Sequence, residues 1–394
     1  MSKIKYMLGI ALAVLTLIFG AVYVYVTHYK PLAPENDTTI TVWYANDSDL
    51  HDVKRLTDEY NSGAGADVGV NVNAVSFFNS ETLYIAVKNA ISKGAEMPAA
   101  VICDADFAAS LEKSGALGSM ELFFDEWEAS EFDGLMSTGC RGEKGILSVP
   151  LAATANVLVV NKELAGDASE YYVIEDLCAK AADYYEKSGS SFFTITDYPF
   201  FFRNAMIQLG DEFDGINPHD TDNSNCKYIY KILAETAYDR GLTAVEGSAV
   251  QLVANGKLAC AIVPSRELAE NGDAVDLDKI AVCPCPVMKN GHRACAQDIT
   301  AITILKCDSD SEIAAAAYIN WLTDDEVNPR LVKSGAVPAN GSAVAKDELS
   351  SAINTAIEKT RNVKSGNTCT ANADYLKNKE KFSIAMQNIM NSMK

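Results

Sequence analysis

The chain has only four histidines and three tryptophans in 394 residues. So few imidazoles leave little room for a histidine-rich metal site. Basic residues are short as well: 33 Lys+Arg face 53 Asp+Glu, a formal net charge of −20 with a pI near 4.6. A field of that sign repels phosphate backbones and argues against sequence-independent nucleic-acid binding. No low-complexity tract or internal repeat occurs, and 48% hydrophobic residues exclude a disordered chain. No strand-to-helix loop carries a Gly-rich phosphate cradle. The near-match at Gly63-Ala64-Gly65 falls between a helix and the next strand, the wrong side of a sheet for nucleotide phosphates. Neither a Gly-x-Ser-x-Gly elbow nor a His-Glu-x-x-His pair accompanies the histidines. The acidic stretch around Asp220, Asp222 and Ser224 has the spacing of a calcium loop. Asn225, however, stands where the sharp-turn Gly belongs, and Lys231 where a bidentate carboxylate is needed. None of these motifs therefore points to a metal, a cofactor or a catalytic group.

One long hydrophobic run is present. Lys3 and Lys5 precede an uncharged stretch, Tyr6–Val26, followed by His28, Lys30 and Pro31. At about 1.5 Å per residue that stretch spans roughly 30 Å, a bilayer's hydrocarbon core. It lacks a small-x-small cleavage site, and the first cysteine is Cys103, too distant for lipid attachment. These features predict an uncleaved single-pass signal-anchor with a cytoplasmic N-terminus and residues 38–394 outside the cell; a cleaved signal peptide is the alternative. The ten cysteines do not form a scaffold pattern. Most sit in apolar or helical runs as buried thiols. Cys283, Cys285 and Cys295 form the one cluster, compatible with a local disulfide or, with His292, a metal site.

Beyond residue 37 strands and helices alternate. Thr39–Tyr44, Val68–Ala74 and Ala99–Cys103 read as strands, each followed by a helix, the first capped by Ser48 or Asp49 and the second by Ser80. This spacing predicts a parallel, doubly wound sheet with ligands beyond the carboxyl ends of the strands. A second α/β unit begins near residue 154 with no Pro/Gly/Ser linker before it, which favours two lobes joined by ordered crossovers.

The order of several segments resembles that of extracellular solute-binding proteins of ABC importers, of the maltose-binding and glycerol-3-phosphate-binding kind. They include Ile40-Thr41-Val42-Trp43, Ser114-Gly115-Ala116-Leu117, Val149-Pro150-Leu151-Ala152, Asn161-Lys162-Glu163-Leu164, Asn255-Gly256-Lys257-Leu258, Asn320-Trp321-Leu322-Thr323 and Ser334-Gly335-Ala336-Val337-Pro338. The resemblance implies an α/β, two-lobed periplasmic-binding-protein-like fold of type II. Lobe I would comprise 38–153 with 297–340, and lobe II 154–296 with 341–394. It also implies a non-enzymatic, monomeric protein that closes on a carbohydrate or sugar-like solute and delivers it to an ABC permease. A membrane-tethered sensor or adhesion module and a glycoside-acting enzyme are the alternatives.

Family positions that face the ligand fall here on Trp43, Tyr44, Asn46 and Asp47 after the first strand, and on Phe78 after the second. Asp104 and Asp106 follow the third strand, Thr154 and Asn156 lie at the first crossover, and Arg266 and Gln297 in the second half. An aromatic face for a sugar ring and carboxylates for paired hydroxyls are what such a ligand needs. Each also has an ordinary structural use: core packing for Trp43, helix capping for Asp47, Asp104 and Asp106, and an ion pair for Arg266. Arg266, where relatives carry a Trp, leaves an acidic or phosphorylated ligand open. Arg203 and Tyr198 are weaker candidates.

Overall fold

The computed structural model describes residues 33–124, 136, 139–142, 145–166, 171–213, 222–293, 296–340, 347–361 and 372–392. The run Tyr6–Val26, Cys295, and Asp220 of the acidic loop lie outside the described residues, and among these no helix is long and apolar enough to cross a membrane.

Strand β1 (Thr38–Ala45) pairs in parallel with β2 (Val70–Phe77) and β3 (Ala100–Asp104). The intervening helices are α1 (Val53–Ser62) and α2 (Ser80–Lys93), and α3 (Ala105–Ser114) follows β3. Helix α1 buries Val53, Leu56 and Tyr60, the i, i+3, i+7 face that its sequence shows. Neither Ser48 nor Asp49 caps it. Asp52 holds that position with φ 55°, Ser48 Oγ donates to Ala45 O at 2.8 Å, and the Asp49 carboxylate is used elsewhere. Asn79 rather than Ser80 caps α2, in a reciprocal box with Thr82.

The next long element decides the architecture. Strand β4 (Val149–Asn161) is buried along its whole length. Its first half, to Ala155, pairs with β8 (Gln297–Ile304), which lies beside β3. Its second half, from Asn156, pairs with β6 (Cys260–Pro264) and β7 (Ile280–Pro284). Strand β5 (Phe193–Ile195) completes that side, parallel to β6, and the short β9 (Val337–Pro338) pairs with β4 at Ala152 and Ala153. One strand therefore runs through both halves of the molecule. Strand β8 is antiparallel to β3 because the chain returns from the second half at the end where β3 finishes, so the sheet is mixed rather than wholly parallel.

Each half has its own core. In the first, Val42, Leu56, Ile302, Tyr318 and Leu322 pack together, with α9 (Ser309–Leu322) covering one face of the sheet; Thr57 and Tyr318 share a hydrogen bond of 2.7 Å between their hydroxyls. In the second, Phe192, Phe193, Phe201, Phe202, Ile262 and Phe382 cluster. Full burial of such side chains contributes about 1.5–3 kcal/mol each. The second core is covered by α4 (Ile174–Ser188), α5 (Tyr198–Gln208) and α6 (Ser224–Tyr238), and behind β6 lies the short α7 (Ala249–Ala254). Helix α8 (Ser265–Glu270) leaves β6 directly, and α10 (Glu348–Arg361) packs on β7 and β4.

The last helix, α11 (Ala373–Ser392), inserts Tyr375, Phe382, Met386 and Met390 into the second core. It also lies against α3 of the first half, so it spans the two lobes. Seven of the eight described cysteines are buried, and no two of them are bridged. Burial pushes the thiols of Cys178 and Cys283 up to about 11 and that of Cys140 to about 12, which makes all three inert near neutral pH.

Candidate functional site

The pivot of the two lobes is a pair of adjacent residues: Ala155 faces Gln297 of β8, and Asn156 faces Pro264 of β6. The carboxyl ends of β1, β2 and β3 and the ends of β5 and β6 open onto the same cleft. Ser265, the first residue of α8, fixes the join. Its Oγ accepts from the backbone N of Ala155 at 3.2 Å and donates to the carbonyl of Gly335.

Four buried polar side chains stand at this pivot: Thr154, Asn156, Tyr198 and Gln297. Asn156 Nδ2, the Tyr198 hydroxyl and both amide atoms of Gln297 have no hydrogen-bond partner among the described residues. Buried polar groups are normally paired, and leaving one unpaired costs about 1–3 kcal/mol. The hydroxyls of Tyr60, in the first core, and of Ser148 share this state, but Gln297, unpaired on both amide atoms, and its neighbours at the pivot form the group suited to a polar molecule.

The loop after β1 is partly committed to structure. Trp43 is half-buried and tilted on Phe77, with 5.2 Å between ring centroids, and Tyr44 packs against the first core. The Asp47 carboxylate accepts from Ser80 N at 2.8 Å and Ser80 Oγ at 2.9 Å, so it tethers the start of α2. Asn46 is exposed, and its carbonyl accepts from Lys333 Nζ at 3.1 Å. Phe78 is 83% exposed.

Asp106 and Arg203 meet across the cleft, with Nη1–Oδ2 2.6 Å and Nη2–Oδ1 3.0 Å. Both are buried, and the guanidinium also lies 4.2 Å from the Tyr375 ring centroid. Asp106 Oδ1 further accepts from Asn372 N at 2.6 Å. Asp106, on the first lobe, is thus held by two groups of the second. Arg266 likewise reaches across the cleft, donating to Asp49 Oδ1 at 3.0 Å and Asp47 O at 3.2 Å. Burial raises the Asp49 carboxyl to about 6, against the lowering effect of Arg266.

Asp104 is different. It occupies the cap position of α3, yet its side chain makes no cap hydrogen bond. Its backbone N lies 3.0 Å from the Tyr84 hydroxyl. Burial, with Asp298 beside it, raises its carboxyl to about 7, opposed by Lys379. Burial also raises Asp197, whose carboxylate accepts from Phe200 N at 2.9 Å to cap α5. Among the described residues no three acidic, cysteine or histidine side chains converge as a metal site would require.

Of the residues expected from sequence, Thr154, Asn156 and Gln297 are gathered at the pivot, and Asp104 faces a groove beside it. Asp47, Asp106 and Arg266 lie at the cleft but are engaged by other protein groups. Asp49, Ser265, Lys333 and Tyr375 are not legible as cleft residues in the sequence, because their partners are distant in the chain; Asp197 reads as a local helix cap, and Lys379 as one of several lysines on its helix.

No curated protein matches the sequence. In fold the chain is similar to a cyclic α-maltosyl-1,6-maltose binding protein from Arthrobacter globiformis, with TM-score 0.67 and 14% identity over 91% of this chain and 94% of that one. A family 1 extracellular solute-binding protein from Bifidobacterium longum subsp. infantis gives 0.68 and 14%, over 91% and 96%. The GacH receptor of Streptomyces glaucescens, solved unliganded and with acarbose, gives 0.63 and 17%, over 90% and 94%. At these identities the likeness is one of fold. A family model described as bacterial extracellular solute-binding protein matches residues 55–356. That match covers most of the chain and both halves of the sheet, and the protein belongs to the bacterial extracellular solute-binding proteins.

Proposed function

We propose that this protein captures a carbohydrate or sugar-like polar solute between its lobes and delivers it to an ABC permease. The observation that carries the reading is the set of unpartnered buried polar groups on Asn156, Tyr198 and Gln297 at the interlobe pivot. Sugar hydroxyls both donate and accept, so they suit an amide that lacks partners on both its atoms. The neighbours that bind cyclic α-maltosyl-1,6-maltose and acarbose point the same way. In this reading Trp43, Tyr44, Asn46 and Phe78 form the outer rim on the first lobe, Thr154, Asn156 and Gln297 the floor, and Asp104 a side wall. Asp47, Asp106 and Arg266 shape the site through their links across the cleft.

Function follows from hinge closure. A ligand touching both lobes has higher affinity for the closed form, and that difference shifts the population. The lobes divide near residue 154, the protein acts as a monomer, and its role is non-covalent. Tethering through Tyr6–Val26 would keep it beside the permease; this part rests on the sequence of that run alone.

Isothermal titration with glucose, maltose, glycerol 3-phosphate and amino acids tests the reading. Saturable heat with a sugar is the expected result. Binding confined to amino acids, or to none of the panel, would overturn the carbohydrate assignment.

A further inference from the structure

One face of the sheet lies open between the two cores. Along β4, Ala153, Ala155, Val157 and Val159 pack into a third cluster that includes Val250 and Ile353, while Ala152 turns to the first core and Leu158 and Val160 to the second. Side chains alternate along a strand, so Thr154 and Asn156 stand on the face of Ala152 and Leu158, at the gap between those cores. Strand β8 repeats the pattern. Ile299 and Ala301 join the third cluster, and Ile302 and Ile304 the first core, which puts Asp298 and Thr300 on the open face. The register agrees, since Asp298 pairs with Thr154 of β4, and Thr300 with Asp104 of β3. Thr300 Oγ1 donates to Asp49 Oδ2 at 3.3 Å, and Arg266 of the second lobe holds the other oxygen of that carboxylate. The other cleft carboxylates are engaged as well: Asp106 by Arg203, Asp197 by Phe200 N, and Asp104 by the Tyr84 hydroxyl. The Asp298 carboxylate makes no hydrogen bond or ion pair with the described residues, and its side chain is half-buried. Lys379 of α11 acts on Asp104 and Asp298 at a distance without bonding to either. Asn156, only 2% exposed, holds its unpartnered Nδ2 on the same face as Asp298.

We propose that Asp298 is a ligand-binding residue, whose carboxylate accepts from a hydroxyl of the bound sugar while Asn156 Nδ2 donates to the same hydroxyl or its neighbour. The proposal rests on the reading of the interlobe cleft as a sugar site. In the register Asn156 and Asp298 are diagonal cross-strand neighbours, about 7–8 Å apart, and they do not bond to each other. An acceptor and a donor, both without partners, therefore face one space. A hydroxyl supplies both halves of that contact, since it donates through its proton and accepts on its oxygen. An ammonium group would satisfy Asp298 but set a donor against Asn156 Nδ2. A carboxylate or phosphate would satisfy Asn156 but confront Asp298 with a like charge. Because Asp298 bonds to nothing in the protein, its removal costs the ligand-free fold no partner, which separates it from Asp49 and Asp106.

The test is isothermal titration of glucose and maltose into the full chain and into Asp298→Asn, with thermal unfolding of each protein alone and with sugar. Wild-type protein is expected to bind at least one of the two sugars. Asp298→Asn keeps the shape but loses the charged acceptor, and it should bind that sugar about tenfold or more weakly, the scale of one hydrogen bond to a charged group. The ligand-free Tm should stay within about 2 °C of wild type, while the rise in Tm that the sugar brings becomes smaller. Should Asp298→Asn fail to fold, Asp298→Ser should show the same loss of affinity. Wild-type affinity in a folded variant would overturn the role of Asp298 and leave the carbohydrate reading intact. A larger fall of the ligand-free Tm in both variants would show that the carboxylate supports the fold instead, and would also overturn it. Wild-type protein that binds neither sugar would remove the carbohydrate reading, and this proposal with it.

Discussion

Arg203 and Asp106 join the lobes through a two-pronged, buried ion pair, 2.6 and 3.0 Å long, with the Tyr375 ring stacked on the guanidinium. The two residues are separated by 97 positions in the chain, and the pair is formed only when α3 and α5 approach. Breaking a buried pair by removing one member typically costs about 3–5 kcal/mol, whereas replacing both with apolar residues is often neutral. Asp106→Ala should therefore lose about 3 kcal/mol in urea unfolding, and Asp106→Leu with Arg203→Met should recover most of it. A single variant within about 0.5 kcal/mol of wild type would mean that the pair opens to water in solution.

Gln297 should behave in the opposite way. Both atoms of its amide are buried without a partner, so Gln297→Leu removes a desolvation cost. Stability of the ligand-free protein should hold or rise by up to about 1–3 kcal/mol. Ligand affinity should fall tenfold or more in the same variant. Asn156→Leu should repeat the pattern on the lobe II side of the pivot. Loss of stability by more than about 1 kcal/mol in both variants would show that these groups are satisfied in the free protein.

Gly335 offers a steric handle on closure. Its φ is +88°, and an added Cβ would stand 2.6 Å from the carbonyl oxygen of Ser265, 2.8 Å from Ala269 Cβ and 2.9 Å from Arg266 Cα. Those atoms belong to α8, on the other lobe, and two of the three are backbone atoms that cannot rotate away. Gly335→Ala would act as a wedge, with left-handed strain of roughly 1–2 kcal/mol added. Weaker ligand binding and a larger radius of gyration by small-angle scattering are expected. Wild-type affinity together with an unchanged radius would show that the lobes do not press together there.

Much of this architecture was legible in the sequence because helices and strands announce themselves locally. The i, i+3, i+7 face of α1 and the β-branched run of β1 needed no distant information, and the ordered segments extended that to two lobes. The roles of individual charges were less legible. Asp49 reads as a helix cap in sequence, yet its partner Arg266 is 217 positions away. Asp106 followed the third strand like Asp104, but only Asp106 meets Arg203, because it lies inside α3 while Asp104 stands at its entry. Lys377, Lys379 and Lys381 are equivalent by composition. Lys379 alone of the three is not exposed, because Tyr375 and Phe382 fix the rotation of α11. Trp43 was expected to offer a stacking face, and the neighbouring Phe77 takes part of it.

The cleft carboxylates predict two pH slopes of opposite sign. Burial raises Asp49 to about 6 and Asp104 to about 7, from 3.8. Between these limits the folded protein holds protons that the unfolded chain has lost, so stability falls as pH rises from about 4 through 6 to 7. The Tm of the ligand-free protein should therefore be lower at pH 8 than at pH 5. Asp104→Asn should flatten the upper part of that decline. Arg266 and Lys333 act on Asp49 against its burial, and Lys379 acts on Asp104, so a variant lacking Lys379 should steepen the decline instead. Ligand binding should move the other way, because the ionised Asp104 carboxylate is the stronger acceptor for hydroxyls: affinity should rise from pH 6 to pH 8 and lose that dependence in Asp104→Asn. Parallel pH profiles in wild type and Asp104→Asn, for both stability and affinity, would remove Asp104 from the site.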